Sequence, residues 1–152
     1  MSFKKIIIGL LLSMLLGSGV AVAADFNKGL EAYYSGDFKT ALAEWTPLAD
    51  KGDADAQYNV GQMHRRGEGV PKNDKTAVKW YTLAAEQGDV DAQYNLGDMY
   101  AHGEGVLTDN RRAYMWWNLG SYNGHEMASE NKDIVAKQMT PADISKAQDM
   151  SS

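Results

Sequence analysis

A repeat of 36 residues limits the fold of this chain more than any other feature of its sequence. Residues 54–70 return at 90–106 with 11 of 17 aligned positions identical, including an Asp-Ala-Gln-Tyr-Asn run and a Gly-Glu-Gly-Val run. Chance does not produce such a match at one fixed offset. A period of this length is typical of stacked helix pairs, in which each unit buries its apolar side only against its neighbours.

Each repeat predicts two helices. Small and apolar residues recur at helical spacing between residues 56 and 63, which indicates one buried face. The Gly-Glu-Gly run at 67–69 is expected to end this helix, because glycine accepts the left-handed cap conformation. Pro71 prevents the helix from continuing. The second helix is predicted to begin at Asn73 or Asp74, since both residue types cap helix N-termini well.

Less regular copies flank the two clear repeats. Upstream, Ala41 and Gly52 lie 36 residues before Ala77 and Gly88, which places a second helix in the same register. Downstream, residues 125–139 indicate a closing helix, followed by a short one with Thr140 as N-cap and Pro141 in its first turn. We therefore predict an all-α stack with a degenerate unit at 25–52, full repeats at 53–88 and 89–124, and capping helices with a tail at 125–152.

These residues resemble the Sel1-like repeat family, a relative of the tetratricopeptide repeats. The matching positions are Ala92, Leu96-Gly97, Tyr100, Gly103–Val106, Ala77, Trp80-Tyr81, Ala84-Ala85 and Gly88. The chain departs from the family pattern at His64, where the pattern has Tyr, and at Trp117, Gly120 and Ser121. The resemblance implies a right-handed superhelical solenoid of antiparallel helix pairs, with a concave face lined by the first helix of each pair. It also implies a role in protein–protein contact, often at the bacterial envelope.

The resemblance places a candidate partner-binding groove on the first helices. By analogy with tetratricopeptide helices, its residues are Asp55, Tyr58, Gln62, Arg65, Arg66, Asp91, Tyr94, Asp98 and His102. Tyrosines at such positions bind extended peptides well, because they offer a large contact area with few rotatable bonds. The alternative is that Tyr58 and Tyr94 pack between helices, since the same residue recurs at the same repeat position. The sequence leaves both interpretations open.

The first 24 residues are expected to be a cleaved signal peptide. Lys4 and Lys5 precede an apolar run at 6–16, and small residues at 21–24 supply an Ala-x-Ala site, so that cleavage follows Ala23 or Ala24. A membrane anchor is the alternative, but it needs about 20 apolar residues. We expect a periplasmic protein without a stable membrane anchor, or a secreted one if the source lacks an outer membrane.

Charge and cysteine content exclude several classes of function. The formal net charge is −5, and loss of Lys4 and Lys5 with the leader makes it −7 for a chain that starts at Asp25. An acidic chain without basic runs repels nucleic acid and anionic lipid. The absence of cysteine excludes a disulfide scaffold, so that stability must come from a packed core.

Metal and cofactor sites are not predicted. His64, His102 and His125 are scattered along the chain, whereas ligands of a metal usually come in clusters. The Gly-Glu-Gly loops lack the preceding strand and the Lys-Ser/Thr of a phosphate-binding loop, so they are interpreted as helix caps. The four tryptophans are predicted to lie in the core and to face the next helix pair: Trp45, Trp80, Trp116 and Trp117.

No catalytic residues are predicted, and the function expected is a non-enzymatic one. Ser129 and Lys132 fit a Ser-x-x-Lys pattern, but no Ser-Asp-Asn or Lys-Thr-Gly accompanies them, which makes a β-lactamase-like hydrolase the least favoured reading. We predict an adaptor or regulator that binds another envelope protein or a peptide in the groove. The alternatives are a modulator or binder of cell-wall enzymes or peptidoglycan fragments, and a structural subunit of an envelope machine. The oligomeric state stays open.

Overall fold

A computed structural model describes residues 23–151 of the chain. The predicted signal peptide lies outside the described residues, apart from its last two positions. Between residues 23 and 151 the chain forms helices and no strands, which confirms the all-α prediction. The helices are α1 (Phe26–Tyr34), α2 (Phe38–Asp50), α3 (Ala54–Arg66), α4 (Asp74–Glu86), α5 (Val90–His102), α6 (Asn110–Tyr122), α7 (Glu126–Ala136) and α8 (Pro141–Asp149). No helix in this range is both long enough and apolar enough to cross a bilayer.

The helices pair and stack as a right-handed superhelical solenoid. Three antiparallel pairs, α1 with α2, α3 with α4 and α5 with α6, follow one another, and α2–α3 and α4–α5 contacts join them. Helix α7 packs on α6, and α8 folds back onto α6 as well. Ala147 of α8 is fully buried there, in one cluster with Tyr114 of α6. The solenoid therefore ends in two helices that both cover α6.

Side-chain caps and glycines set the helix ends at the repeat offset. Asp53 accepts from the backbone N–H of Ala56 at 2.8 Å, and Asp89 makes the same bond to Ala92 at 2.7 Å. Helices α3 and α5 end at glycines in the left-handed conformation, as predicted for the Gly-Glu-Gly loops. Helix α4 begins at Asp74 with Asn73 as its N-cap, within the predicted range.

The end of the chain follows the prediction with one difference. Thr140 caps α8 and Pro141 is its first residue, as expected. The closing helix is shorter than the predicted 125–139, because α7 ends at Ala136. Residues 137–139 form a turn instead, with Gln138 and Met139 bonding to carbonyls three residues back.

Glycines let the two helices of each pair approach closely. Gly97 of α5 faces the indole of Trp117, where an added Cβ would lie 2.4 Å from Cδ1. Gly29 faces Trp45 in the same way, and Gly61 faces the ring of Tyr81. The large ring of the second helix therefore fills the space that the first helix leaves open.

Trp45 and Trp117 lie in the core as predicted, whereas Trp80 and Trp116 are half-buried and pack against buried core residues. Trp45 and Trp117 each share a buried cluster with residues of the next helix, and each also packs on the glycine of the first helix of its own pair, a contact that was not predicted. Their indole N–H groups also stay within the pair, donating to the carbonyls of Phe26 and Tyr94. The contact within the pair requires a glycine, because an added Cβ on Gly97 would lie 2.4 Å from the indole of Trp117.

Two buried glutamines tie neighbouring pairs together, a role that the sequence did not reveal. Gln93 donates from Nε2 to the carbonyl of Ala85 at 3.1 Å and accepts from Nδ2 of Asn123 at 3.0 Å. Gln57 makes the equivalent bonds one repeat earlier. Burying an amide is tolerated because both its donor and its acceptor are paired.

Candidate partner-binding face

All nine predicted groove residues lie on α3 or α5, the first helices of the two full repeats, and none of them is buried. We call this surface the first-helix face. Its members are Asp55, Tyr58, Gln62, Arg65 and Arg66 on α3, and Asp91, Tyr94, Asp98 and His102 on α5. They differ in how much of each side chain is free to meet a partner.

Arg65 is held by three acceptors of the next repeat. Its guanidinium donates to Oδ1 of Asn95 at 2.7 Å, to Oδ2 of Asp98 at 2.6 Å and to Oε2 of Glu104 at 2.9 Å. Only 23% of the side chain is exposed. A partly buried, charge-assisted network of this kind holds α3 against α5 and its following loop. Arg65 therefore joins the repeats, and little of it faces outward.

Tyr33 of α1 occupies the equivalent position one repeat earlier. It follows Gly29 by four residues, as Arg65 follows Gly61. Its hydroxyl donates to Oε2 of Glu68 at 2.9 Å, and burial together with that carboxylate raises the pKa of the hydroxyl. Bridges from a first helix to the loop glutamate of the next repeat thus recur along the stack.

The loop glutamates were not on the predicted list of site residues. Glu68 and Glu104 sit at the centre of the repeated Gly-Glu-Gly loops, and their recurrence was the signal that could have found them. The second glycine of each loop explains how the glutamate is placed. A Cβ on Gly105 would lie 2.5 Å from backbone atoms of Asp74, so the loop touches the preceding repeat directly.

The two tyrosines are half-buried and pack against other rings. Tyr58 lies 5.7 Å from the ring of Tyr81, and its hydroxyl accepts from Nε2 of Gln62 at 3.0 Å. Burial raises the pKa of the Tyr58 hydroxyl, with a smaller effect from the charge of Asp91. Tyr94 stacks on His125 with 4.4 Å between ring centroids. Each ring thus has a packing role, and only the remaining exposed part can contact a partner.

Apart from Arg65 and its partner Asp98, the charged residues of the face are exposed, and so is His102. Side-chain exposure is 66% for Asp91, 54% for Arg66 and 64% for His102, and Asp55 is also exposed. Arg66 donates to the hydroxyl of Tyr33 at 3.0 Å, which orients its guanidinium without covering it. Carboxylates outnumber cations on the face, so its field is acidic with one exposed arginine.

The first-helix face offers charged and hydrogen-bonding groups to a partner. Among the described residues no group of three or more histidine, aspartate or glutamate side chains is placed to hold a metal ion. Ser129 and Lys132 both lie on α7, but the cavity that Lys132 lines does not include Ser129 among its wall residues. The carboxylates of the face can accept hydrogen bonds and bind cations, and Arg66 can donate hydrogen bonds.

Comparison with known proteins places the repeat in a family. A model of the Sel1 repeat matches residues 54–89 and 90–125. The chain is similar to the solved structure of a protective antigen present in uropathogenic Escherichia coli strains that displays an SLR fold, with 30% identity, a TM-score of 0.77, and coverage of 99% of this chain and 32% of that one. It is also similar to a Sel1 repeat protein from Oxalobacter formigenes, with 30% identity, a TM-score of 0.68, and coverage of 71% of this chain and 44% of that one. The chain therefore spans less than half the length of either protein. No curated protein matches it significantly.

Proposed function

The chain belongs to the Sel1 repeat family, whose members are typically modules for protein–protein interaction, and we propose that this one is a non-enzymatic adaptor or regulator of the bacterial cell envelope. It binds a segment of another envelope protein, or a peptide, along the first-helix face. The observation that carries this proposal is a difference in exposure between the residues of that face. Arg65 is bonded to residues of the next repeat. Four other residues stay exposed: Asp55, Arg66, Asp91 and His102.

A face held rigid before binding favours such a role. The Arg65 network and the buried amides of Gln57 and Gln93 hold α3 and α5 in fixed positions, so the exposed groups need little further ordering when a partner arrives. Binding to a preorganised surface costs less conformational entropy than binding to a mobile one. The mixed charge of the face favours selectivity between partners over raw affinity.

The envelope location rests on the leader. Lys4 and Lys5, the apolar run at 6–16 and the small residues at 21–24 match a signal peptide with an Ala-x-Ala site. We expect the protein to appear in the periplasmic fraction with Ala24 or Asp25 as its first residue. N-terminal sequencing and cell fractionation measure this directly. An unprocessed chain in the cytosolic fraction would contradict the proposed location.

Site-specific crosslinking in the cell tests the adaptor role. A photoreactive amino acid is placed at position 66, at position 91, and at the exposed Lys79 of α4 as a control on a second helix. Positions 66 and 91 should capture the same discrete partner, identified by mass spectrometry, and position 79 should not. Equal capture from all three positions, or no discrete product, would contradict binding on the first-helix face.

Charge reversal then tests the contact itself. The structure directs the change to Arg66 alone, because a glutamate at position 65 would face Asp98 and Glu104 and would loosen the repeats. Arg66→Glu should weaken capture from position 91 while leaving the circular dichroism spectrum unchanged. Lys79→Glu is the matched control, and it should leave capture intact.

A further inference from the structure

A cavity of about 340 Å³ opens at the C-terminal end of α3, against α4 and α5. Three cations line it: Arg65 and Arg66 end α3, and Lys72 lies in the loop that follows. The other described residues in its walls are neutral except for one carboxylate: Gln62, Tyr81, Asn95 and Glu104. The cavity is therefore lined mainly by cations, unlike the first-helix face as a whole.

Arg65 is not available to a ligand, because its charge is already met inside the protein. It donates to Asp98 at 2.6 Å and to Glu104 at 2.9 Å, so the carboxylate in the wall is engaged as well. Arg65 and Glu104 therefore form a fixed, internally paired part of the wall. The positive charge left for a ligand belongs to Arg66 and Lys72.

Arg66 and Lys72 have long ion pairs with carboxylates. Nη1 of Arg66 lies 3.9 Å from Oε1 of Glu68, and Nζ of Lys72 lies 3.5 Å from Oδ2 of Asp74. The two cationic side chains are 54% and 60% exposed. Long ion pairs of exposed cations contribute little to stability, so an incoming carboxylate can compete with them at small cost. Arg66 also donates to the hydroxyl of Tyr33, which uses one of the five N–H groups of a guanidinium.

This combination of cations occurs once among the described repeats. The corresponding residues one repeat later are neutral or weakly basic: Ala101, His102 and Thr108. In the preceding unit, Tyr33 and Tyr34 stand in place of the two arginines. The packing that the repeats share therefore does not require Arg66 or Lys72, which favours a role in binding.

The exposed carboxylates of the first-helix face lie at the other end of its helices. Asp55 and Asp91 are in the first turns of α3 and α5, whereas Arg66 is the last residue of α3. The 11 positions from Asp55 to Arg66 correspond to about 16 Å along a helix. Charges so far apart are largely screened at physiological ionic strength, where the Debye length is about 8 Å. An anion in the cavity therefore interacts mainly with the two cations.

We propose that this cavity is a carboxylate seat, in which Arg66 and Lys72 bind an acidic group of the partner segment. A guanidinium can bind a carboxylate through two parallel N–H bonds, and an ammonium adds a further charged donor. The same chemistry recognises an aspartate or glutamate side chain and a C-terminal carboxylate. The inference rests on the proposed adaptor function and names the group that the partner presents at this end of the face.

Three short peptides test the seat on the mature chain and separate the two sources of the carboxylate. Acetyl-Gly-Asp-Gly amide has a side-chain carboxylate, acetyl-Gly-Asn-Gly acid has a C-terminal one, and acetyl-Gly-Asn-Gly amide has neither. Each is titrated while the backbone and arginine side-chain N–H signals are followed by NMR. At least one charged peptide should bind saturably, with shifts centred on Arg66 and Lys72, and at least about tenfold more tightly than the neutral peptide. The tighter of the two identifies the source, and its advantage should shrink as salt is added.

Two substitutions remove the cations of the seat at exposed positions. Arg66→Gln and Lys72→Gln should each weaken binding of the charged peptide several-fold, and the double variant should bind the charged and neutral peptides equally. Lys75→Gln is the matched control, because it changes the net charge by the same amount at an exposed residue of α4 outside the walls of the cavity. It should keep the preference for the charged peptide. Circular dichroism should show the same helix content in all variants, since exposed substitutions change stability little.

Failure of the seat is distinguishable from failure of the adaptor role. The seat proposal is wrong if neither charged peptide binds more tightly than the neutral one, if the shifts centre elsewhere, or if the double variant keeps the preference. It is also wrong if Lys72→Gln leaves in-cell capture from position 91 unchanged, while the adaptor role then stands. The absence of any discrete product from positions 66 and 91 would overturn the adaptor role, whatever the peptides do.

Discussion

Replacing Gly97 by alanine tests the close approach of α5 to α6. A Cβ at this position would lie 2.4 Å from both Cδ1 and Nε1 of Trp117. Real carbon atoms do not approach so closely, so the indole has to move. Trp117 is only 4% exposed and donates its N–H to the carbonyl of Tyr94 at 3.2 Å, so movement disturbs both the packing and a hydrogen bond.

The expected loss of stability combines three effects. Overpacking of a buried site costs about 1–3 kcal/mol. Loss of the bond from Trp117 to Tyr94 adds about 1 kcal/mol, and the higher helix propensity of alanine returns about 1 kcal/mol. We therefore expect Gly97→Ala to lower the free energy of unfolding by about 1–3 kcal/mol, and to lower the melting temperature by several degrees.

Urea denaturation of the mature chain, followed by circular dichroism and tryptophan fluorescence, measures this loss. Gly61→Ala is the matched control, because its Cβ would lie 2.9 Å from the ring of Tyr81 and needs a smaller shift. In a Trp117→Tyr background, Gly97→Ala should cost less than in the unaltered chain. If Gly97→Ala proves no more destabilising than Gly61→Ala, or raises the melting temperature, the assignment of this contact as the tight one is wrong.

Three further predictions concern the repeat contacts and one half-buried histidine. Gly105→Ala should cost more than Gly88→Ala in urea denaturation, because both residues have positive φ but only Gly105 has backbone atoms within 2.5 Å of the added Cβ; the Gly88 change should cost about 1–2 kcal/mol from conformation alone. Arg65→Ala should cost about 1.5–3 kcal/mol, since it leaves charged acceptors without their donor, whereas the exposed Arg66→Ala should change stability by less than about 0.5 kcal/mol. Burial lowers the pKa of His64 below its ordinary 6.5, so the unfolded chain binds a proton at higher pH than the folded one. The part of the folding free energy that depends on a neutral His64 should therefore be lost as the pH falls through and below 6.5. His64→Tyr, which installs the residue that the next repeat has at this position, should remove that part of the pH dependence of the melting temperature.

The repeat predicted the fold well because local chemistry determines the helix ends. Aspartate and asparagine caps and left-handed glycines act within a few residues of sequence, so the start of α4 and the ends of α3 and α5 could be derived from the sequence. The closing helix was predicted three residues too long, because residues 137–139 have no cap signal that separates a last helical turn from an irregular one.

The contacts between repeats could not be derived in the same way. Arg65 reaches acceptors 30 to 39 residues away, and nothing in the spacing alone shows that a guanidinium will bridge α3 to the loop after α5. Gln57 and Gln93 are polar, which argues for exposure, yet they are buried, and each donates to a backbone carbonyl and accepts from another amide. Such networks join residues that are far apart in the sequence. The only sign of them in the sequence is a residue that recurs at the same position of each repeat.

Comparison of equivalent positions shows which contacts each repeat maintains. Gly61 and Gly97 are identical and lie in helix contacts, because each unit packs its two helices with the same geometry. Identity alone does not mark a packing residue, since Asp55 and Asp91 are also identical and both are exposed. At the position of Arg65 the next repeat has Ala101, which cannot donate a hydrogen bond from its side chain, so the bridge from Arg65 to Asp98 and Glu104 has no counterpart there. Units that share one packing geometry can therefore still differ in the contacts that they make with their neighbours.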